Sequence, residues 1–153
     1  GRLTALLTGA LGLTRTWPVA IVGMGNLGRA LAAYSGFATE GFDVVALLDR
    51  DPAVAGEQVG SLPITLMPRG RKLATLVRTL GIAIGVIATP AASAQAVAEE
   101  LVAARVEAIL NFAPVALALP DNVPVRSVDL ATELHVLAFL RQHDRLAGVG
   151  RAG

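Results

Sequence analysis

The chain alternates short, uninterrupted apolar runs with longer segments in which apolar residues recur every three or four positions. Uninterrupted runs bounded by Gly, Pro or Asp are typical of buried strands, whereas the longer spacing is typical of helices. The runs predict strands at 18–23, 42–49, 63–67, 82–89, 106–111 and 125–128, and the spacing predicts helices at 29–34, 71–80, 91–105 and 129–141. Because strands alternate with helices, we predict an α/β fold with a doubly wound parallel sheet.

The composition supports a packed core and excludes several kinds of site. Hydrophobic residues make up 54% of the chain and aromatic residues 4%, so the core is aliphatic. The charged share of 16% lies below the usual value of about 25%, which argues against disorder. A net charge of +1 does not predict nucleic-acid binding by these residues alone. With no Cys and only two His, we expect no disulfide framework and no metal site.

One uncharged stretch, residues 79–98, is long enough to raise the question of a membrane span. Gly81, Gly85 and Pro90 interrupt it, and the pattern favours a strand, a turn and a helix. No amino-terminal signal sequence is evident. We therefore expect no membrane partner and a cytoplasmic location.

The pattern divides the chain into four parts. Residues 1–17 are expected to form a linker that begins with a short amphipathic helix, and residues 18–128 to form the α/β domain. The helix at 129–142 is apolar on more than one face, so we expect it to be buried against another molecule. The Gly-rich residues 143–153 are expected to be a flexible tail.

A glycine motif follows the first predicted strand and opens a helix. Residues 23–28 fit the pattern G-x-G-x-x-G, with Gly23, Met24, Gly25, Asn26, Leu27 and Gly28. In Rossmann-like folds the first Gly permits the tight turn, the second lets the backbone approach a pyrophosphate, and the third allows close packing. The following helix presents free N–H groups to the phosphates. The motif in this context predicts dinucleotide binding by a Rossmann-like domain.

Asp49 ends the second predicted strand, where this fold places the acid that binds the adenosine ribose. A carboxylate there accepts hydrogen bonds from the ribose hydroxyls and repels a 2′-phosphate, so it favours NAD over NADP. Arg50 complicates this prediction, because an Arg directly after the strand can hold a 2′-phosphate. The alternative is that Asp49 only closes the turn at 49–52.

The ends of two later strands provide further candidate contacts. Thr89 and Pro90 end one strand, and Asn111, Phe112, Ala113 and Pro114 end the next. Ligands of open α/β sheets bind at the carboxyl ends of strands. Asn111 could bond a carboxamide and Phe112 could pack on a ring. The alternative is two ordinary turns bounded by Pro.

A group suited to acid–base catalysis is not evident near these strand ends. His135 and His143 fall in or beyond the last helix, and Lys72 falls on a polar helical face. A dehydrogenase needs such a group beside the hydride acceptor. A nucleotide site without it indicates a sensor rather than an enzyme. The alternatives are a CoA-binding module of the succinyl-CoA-synthetase type and a small NAD-dependent oxidoreductase subunit.

Several motifs in order resemble the Rex family of NADH-sensing transcriptional repressors, over about residues 3–142. The resemblance runs through 11–17, 19–31, Tyr34, 36–37, 89–91, 94–95, 108–114, 128–131 and 133–134. It implies an NAD(H)-binding domain in a homodimer that releases operator DNA when NADH binds. Family members bind DNA through a winged-helix domain. The residues ahead of 18 are too few to form one. We therefore expect contact with operator DNA only through a winged-helix domain that is missing from this chain.

The resemblance also assigns roles to individual residues. The glycine motif would hold the pyrophosphate, Asp49 the ribose, and the two later strand ends the nicotinamide. Tyr34 and Asp129 resemble a pair that hydrogen-bonds across the dimer in one redox state, and Leu130 would lie near the partner's nicotinamide. The helix beginning at Asp129 would be exchanged between subunits. A helix N-cap is the alternative role of Asp129.

Overall fold

The computed structural model describes residues 15–152, with side chains through residue 143. The helix predicted at the amino terminus lies outside the described residues. Within them, seven strands form one sheet in the order β3-β4-β2-β1-β5-β6-β7. The strands are β1 (Trp17–Val22), β2 (Phe42–Asp49), β3 (Gln58–Val59), β4 (Leu62–Leu66), β5 (Ile84–Ile87), β6 (Ala108–Asn111) and β7 (Val125–Ser127).

All neighbouring strands are parallel except β3 and β4, which form an antiparallel hairpin. The helices are α1 (Asn26–Ala33), α2 (Gly36–Thr39), α3 (Gly70–Leu80), α4 (Ala91–Ala103) and α5 (Leu130–Ala152). The chain reverses its direction of travel across the sheet between β1 and β5. The prediction of a doubly wound parallel sheet is therefore confirmed.

The central strands bury side chains on both faces, which explains why they read as continuous apolar runs. On one face, Val22 and Leu48 belong to the cluster that includes Leu101 of α4 and residues of α3. On the other face, Ile21 and Leu47 pack with residues of α1. The sheet thus holds the carboxyl ends of β1, β2 and β5 side by side, and the glycine motif leaves the sheet there.

The face that α1 covers, which we call the second face, also carries an apolar cavity of about 180 Å³. Its lining includes Phe37, Phe42, Val44, Leu110 and Phe112, and it is entirely apolar. These side chains are only partly buried. This face of the sheet is consequently less well covered than the face beneath α3 and α4.

Three elements differ from the predicted pattern. The hairpin strand β3 has two residues, too few to show any periodicity, and Gly60, with φ of +62°, forms its turn. The four-residue helix α2 lies in a segment expected only to end α1. The last helix continues to Ala152, beyond the predicted end at Arg141, because a Gly inside a helix costs only about 1 kcal/mol.

Helix α5 leaves the domain with its described side chains exposed. The large apolar residues on it are Leu130, Leu134, Val136, Leu137, Phe139 and Leu140, and Leu134 is 65% exposed. Among the described residues, no helix combines the length and the apolar content needed to cross a membrane. The described residues therefore leave the apolar surface of α5 uncovered.

Candidate functional site

The glycine motif forms a tight turn between β1 and α1. Gly23 has φ of +101°, in the left-handed region that favours glycine. Its N–H donates to the carbonyl of Leu48 over 2.8 Å. A Cβ on Gly23 would lie 2.7 Å from backbone atoms of Ala88 and Thr89. Only glycine therefore fits between β1 and the end of β5.

The other two glycines of the motif have different surroundings. A Cβ on Gly28 would lie 1.8 Å from the carbonyl oxygen of Gly23, so Gly28 permits α1 to pack against the turn. A Cβ on Gly25 would meet no atom of the described chain within 4 Å, apart from its immediate neighbours. Gly25 thus faces open space, which a ligand's phosphates can occupy.

The first turn of α1 is free to receive an anion. The helix begins at Asn26, inside the motif, with Gly25 as its N-cap, and no described side chain caps it. Its first turn contains no acidic residue, and Gly25 and Asn26 are exposed. Unpaired N–H groups and the positive end of the helix dipole together attract phosphate.

Two members of the motif, Met24 and Leu27, have side chains that are buried or half-buried. The Met24 side chain is buried among residues of the second face, so only its backbone is available to the site. Leu27 is half-buried. Neither side chain projects freely into the space beside Gly25.

The carboxylate of Asp49 lies directly against the glycine turn. Its Oδ2 accepts the backbone N–H of Met24 over 2.7 Å, and its Oδ1 accepts that of Asp51 over 2.8 Å. Each carboxylate oxygen has a second lone pair, so both remain able to accept a ribose hydroxyl. The structure thus brings together the two features that the sequence separates by more than twenty residues.

Arg29 and Glu57 stabilise the turn, and no sequence pattern predicts this contact. The Nε of Arg29 donates to the carbonyl of Met24 over 3.0 Å, and its guanidinium forms an ion pair with Glu57 in the loop before β3. An Arg in the first turn of a helix ordinarily reads as a solvated residue. Its contact with residue 57 depends on the tertiary fold.

Arg50 points to α4, where it meets an acid that the sequence did not single out. Its Nη2 lies 2.7 Å from Oε1 of Glu100. Arg69, which precedes α3, places its Nη1 3.6 Å from the same oxygen. Contact between Arg50 and a ligand remains a prediction, and in this structure the guanidinium is engaged by Glu100.

Thr89 and Pro90 lead from β5 into α4. The Thr89 hydroxyl donates to the carbonyl of Pro90 over 3.1 Å. Pro90 is the N-cap of α4, and the first turn of this helix has no acidic residue. Two helix N-termini, those of α1 and α4, therefore follow adjacent strands at the same edge of the sheet.

The Asn111 side chain lies within the turn that follows β6. It is fully buried. Its Nδ2 donates to the carbonyl of Val115, and its Oδ1 accepts the N–H of Ala113, both over 2.9 Å. Both polar atoms thus serve the turn that follows β6, and contact between Asn111 and a carboxamide remains a prediction.

The rest of this turn has mixed exposure. Ala113 is buried and Pro114 is exposed. Phe112 is half-buried and lines the apolar cavity of the second face, while its N–H donates to Ile87 over 2.8 Å. Pro114 is therefore the member of the turn most accessible to a ligand.

Tyr34 and Asp129 are both exposed, and their pairing across a dimer remains a prediction. The Tyr34 ring packs edge-on against Phe37 at 4.8 Å.

Asp129 caps α5, since its Oδ1 accepts the N–H of Thr132 over 3.1 Å. Hydrogen bonds from the backbone and hydroxyl of Thr132 lower the pKa of Asp129. Leu130 is exposed beside it. The N-cap role of Asp129 is confirmed.

The parallel sheet, the glycine turn and the acid at the end of β2 together define a domain of the Rossmann class. Residues 14–115 match the profile of the family described as the CoA binding domain. The redox-sensing transcriptional repressor Rex of Streptomyces avermitilis is 55% identical over 132 residues, which cover 86% of this chain and 51% of that protein. The chain belongs to the Rex family.

Solved structures agree with this assignment. The crystal structure of RSP, a Rex-family repressor, in complex with β-NADH has a TM-score of 0.81 and 31% identity, and the match covers 96% of this chain and 70% of RSP. RSP with β-NAD+ and operator DNA has a TM-score of 0.80 and 30% identity, covering 99% and 69%. The chain spans about half the length of the curated relatives it matches first.

Proposed function

We propose that this chain is the NAD(H)-binding, redox-sensing domain of a transcriptional repressor. The observation that carries the proposal is the contact between Asp49 and the N–H of Met24. The contact holds the Asp49 carboxylate beside the open space at Gly25, which is the arrangement that a ribose-binding acid and a phosphate site require. Relatives that are named redox-sensing repressors, and RSP structures with NADH and NAD+, support the same ligand.

In this proposal the dinucleotide crosses the carboxyl edge of the sheet. The pyrophosphate binds the N–H groups at the start of α1, beside Gly25. The adenosine ribose hydroxyls donate to Asp49. The nicotinamide lies towards the ends of β5 and β6, near Pro90 and Pro114. This order follows the direction from β2 through β1 to β5 and β6 in the sheet.

The domain acts as a sensor and not as an enzyme. NADH and NAD+ differ in charge and in the shape of the nicotinamide ring, so they can favour different arrangements of a dimer. A ligand shifts such an equilibrium only by its difference in affinity for the two states. NADH binding would favour the state that releases operator DNA. DNA contact would be made by a winged-helix domain outside the residues of this chain.

The ribose role of Asp49 predicts a loss of affinity when its charge is removed. Asp49→Ala is expected to weaken NADH binding by about 1–3 kcal/mol, because charged hydrogen bonds to the ribose are lost. A titration that follows NADH fluorescence measures the change. Asp43→Ala is the matched control, since Asp43 lies on the same strand at the far end and is exposed. Equal affinity of the two variants would remove Asp49 from the site.

CoA is the second candidate ligand, because the matched family profile carries that description. The glycine turn would serve the diphosphate of CoA as well as that of NADH. The ribose of CoA, however, carries a 3′-phosphate, and the Asp49 carboxylate beside the turn would repel it. We therefore favour NAD(H), and competition between CoA and NADH distinguishes the two.

We also propose that the chain functions as a homodimer with exchanged C-terminal helices. Two surfaces support this proposal. Helix α5 exposes a stripe of Leu130, Leu134 and Leu137, which lie on one face at helical spacing. The second face of the sheet carries the apolar cavity near Phe42 and Phe112. A second copy would bury apolar area that a single chain leaves in water.

Charged residues on this stripe are expected to break the dimer. Leu134→Glu combined with Leu137→Glu should give a monomer at micromolar concentration, because each substitution places a charge in an apolar interface. Light scattering coupled to size exclusion measures the mass. The control is Gln142→Glu, which adds a charge to a different face of α5. A monomeric parent protein would contradict the exchanged-helix arrangement.

A further inference from the structure

A partly buried pair of Arg50 and Glu100, joined by the exposed Arg69, lies beside the ribose acid. Arg50 directly follows Asp49, and Glu100 lies on α4. Their side chains are 27% and 24% exposed, and Nη2 of Arg50 lies 2.7 Å from Oε1 of Glu100. Arg69 contacts the same oxygen from 3.6 Å. The contact joins residues fifty positions apart, so the tertiary fold builds it.

The pair borders the expected position of the adenosine ribose. The carbonyl of Asp49 accepts the N–H of Met67 over 2.8 Å, which places the segment leading to Arg69 beside the end of β2. An unrestrained guanidinium at position 50 would have the reach to meet a phosphate on the ribose 2′-oxygen, since it starts one residue beyond the ribose acid. In the structure, however, it is directed to α4.

We propose that Glu100 is a specificity-determining residue that holds Arg50 away from a ligand's 2′-phosphate and so excludes phosphorylated dinucleotides. This inference rests on the proposed NAD(H)-binding function. Asp49 repels the 2′-phosphate directly, and Glu100 engages Arg50, the cation that directly follows Asp49 and could compensate for that repulsion. Both carboxylates thus favour NADH over NADPH, Asp49 by repelling the 2′-phosphate and Glu100 by holding Arg50 away from it.

One charged hydrogen bond, from Nη2 of Arg50 to Oε1 of Glu100, holds the pair together. Within the described residues, Nε of Arg50 and Oε2 of Glu100 are buried without a hydrogen-bond partner. Among the described contacts, Glu100 therefore restrains the guanidinium through the Nη2–Oε1 contact alone. If Glu100 loses its charge, the guanidinium loses its strongest restraint. A 2′-phosphate then becomes the most favourable anion within its reach.

The test compares NADH and NADPH binding to the whole chain and to its Glu100→Gln variant. We expect the parent protein to bind NADH and to discriminate strongly against NADPH. Glu100→Gln should raise the NADPH affinity by about tenfold, the scale of one charged hydrogen bond, and change NADH affinity by less than about twofold. Adding Arg50→Met to Glu100→Gln should return NADPH affinity to the parent value.

Glu99→Gln is the matched control for the loss of one negative charge. Glu99 is the preceding residue on α4, is exposed, and pairs with Gln95 instead of Arg50. It should leave the ratio of NADH to NADPH affinity unchanged. If Glu99→Gln and Glu100→Gln shift the ratio equally, the effect is only that of net charge and the proposal is wrong.

Arg50→Met alone tests the proposal should Glu100→Gln fail to fold. Because Glu100 already holds Arg50 in the parent protein, loss of the Arg50 guanidinium should change NADPH affinity by less than about threefold. Arg69 would remain paired to Glu100. A larger loss of NADPH affinity would mean that Arg50 reaches the 2′-phosphate in the parent protein and would overturn the proposal. Failure of the parent protein to bind NADH would instead overturn the proposed function itself.

Discussion

Gly25→Ala is expected to weaken NADH binding by about 10- to 100-fold while the domain stays folded. The added methyl group would occupy the open space beside the start of α1, where the pyrophosphate must approach the backbone. Loss of charged hydrogen bonds there corresponds to about 1.5–3 kcal/mol. The stability should fall by no more than about 1 kcal/mol, since the Gly25 backbone is extended and alanine is only a weaker N-cap.

Two measurements separate the effect on binding from an effect on folding. A fluorescence titration gives the NADH affinity, and thermal unfolding monitored by circular dichroism gives the stability. Unchanged NADH affinity in a folded Gly25→Ala variant would mean that no phosphate approaches this turn. The proposed orientation of the dinucleotide would then be wrong.

Gly28→Ala, in contrast to Gly25→Ala, is expected to cause a large loss of stability. Its Cβ would lie 1.8 Å from the carbonyl oxygen of Gly23, so α1 would have to move away from the turn and from the core residues it covers. Overpacking of this kind costs about 3 kcal/mol. For a domain of this size we expect the melting temperature to fall by about 10 °C.

The contrast between these two variants is informative because both replace a glycine of one motif with alanine. Thermal unfolding of Gly28→Ala provides the measurement, with the parent protein melted under the same conditions. A melting temperature within about 2 °C of the parent's, which corresponds to no more than about 1 kcal/mol in a domain of this size, would contradict the close packing of α1 on the turn.

The regular elements could be predicted from the sequence because local patterns determine them. Continuous apolar runs predict β1, β2, β5 and β6, and the spacing of apolar residues predicts α3 and α4. The glycine motif indicated a ligand site because its residues are contiguous. Asp49 could be added because the end of β2 lies at a position that the fold class determines.

The remaining contacts could not be predicted because they join distant parts of the chain. Glu100 reads as a solvated helical residue until α4 places it against Arg50. Glu57 likewise meets Arg29 only through the loop before β3. We expect Asn111 beside a ligand because strand ends often bind ligands, but its burial and its two backbone partners in the turn after β6 depend on the tertiary fold.

Competitive titration of the parent protein tests the central claim most directly. NADH is titrated into the chain by calorimetry, alone and in the presence of excess NAD+, CoA or NADPH. We expect one NADH site per chain, displacement by NAD+, and little displacement by CoA or NADPH, whose ribose phosphates would face Asp49. Absence of NADH binding, or full displacement by CoA, would contradict the assignment of this site to NAD(H).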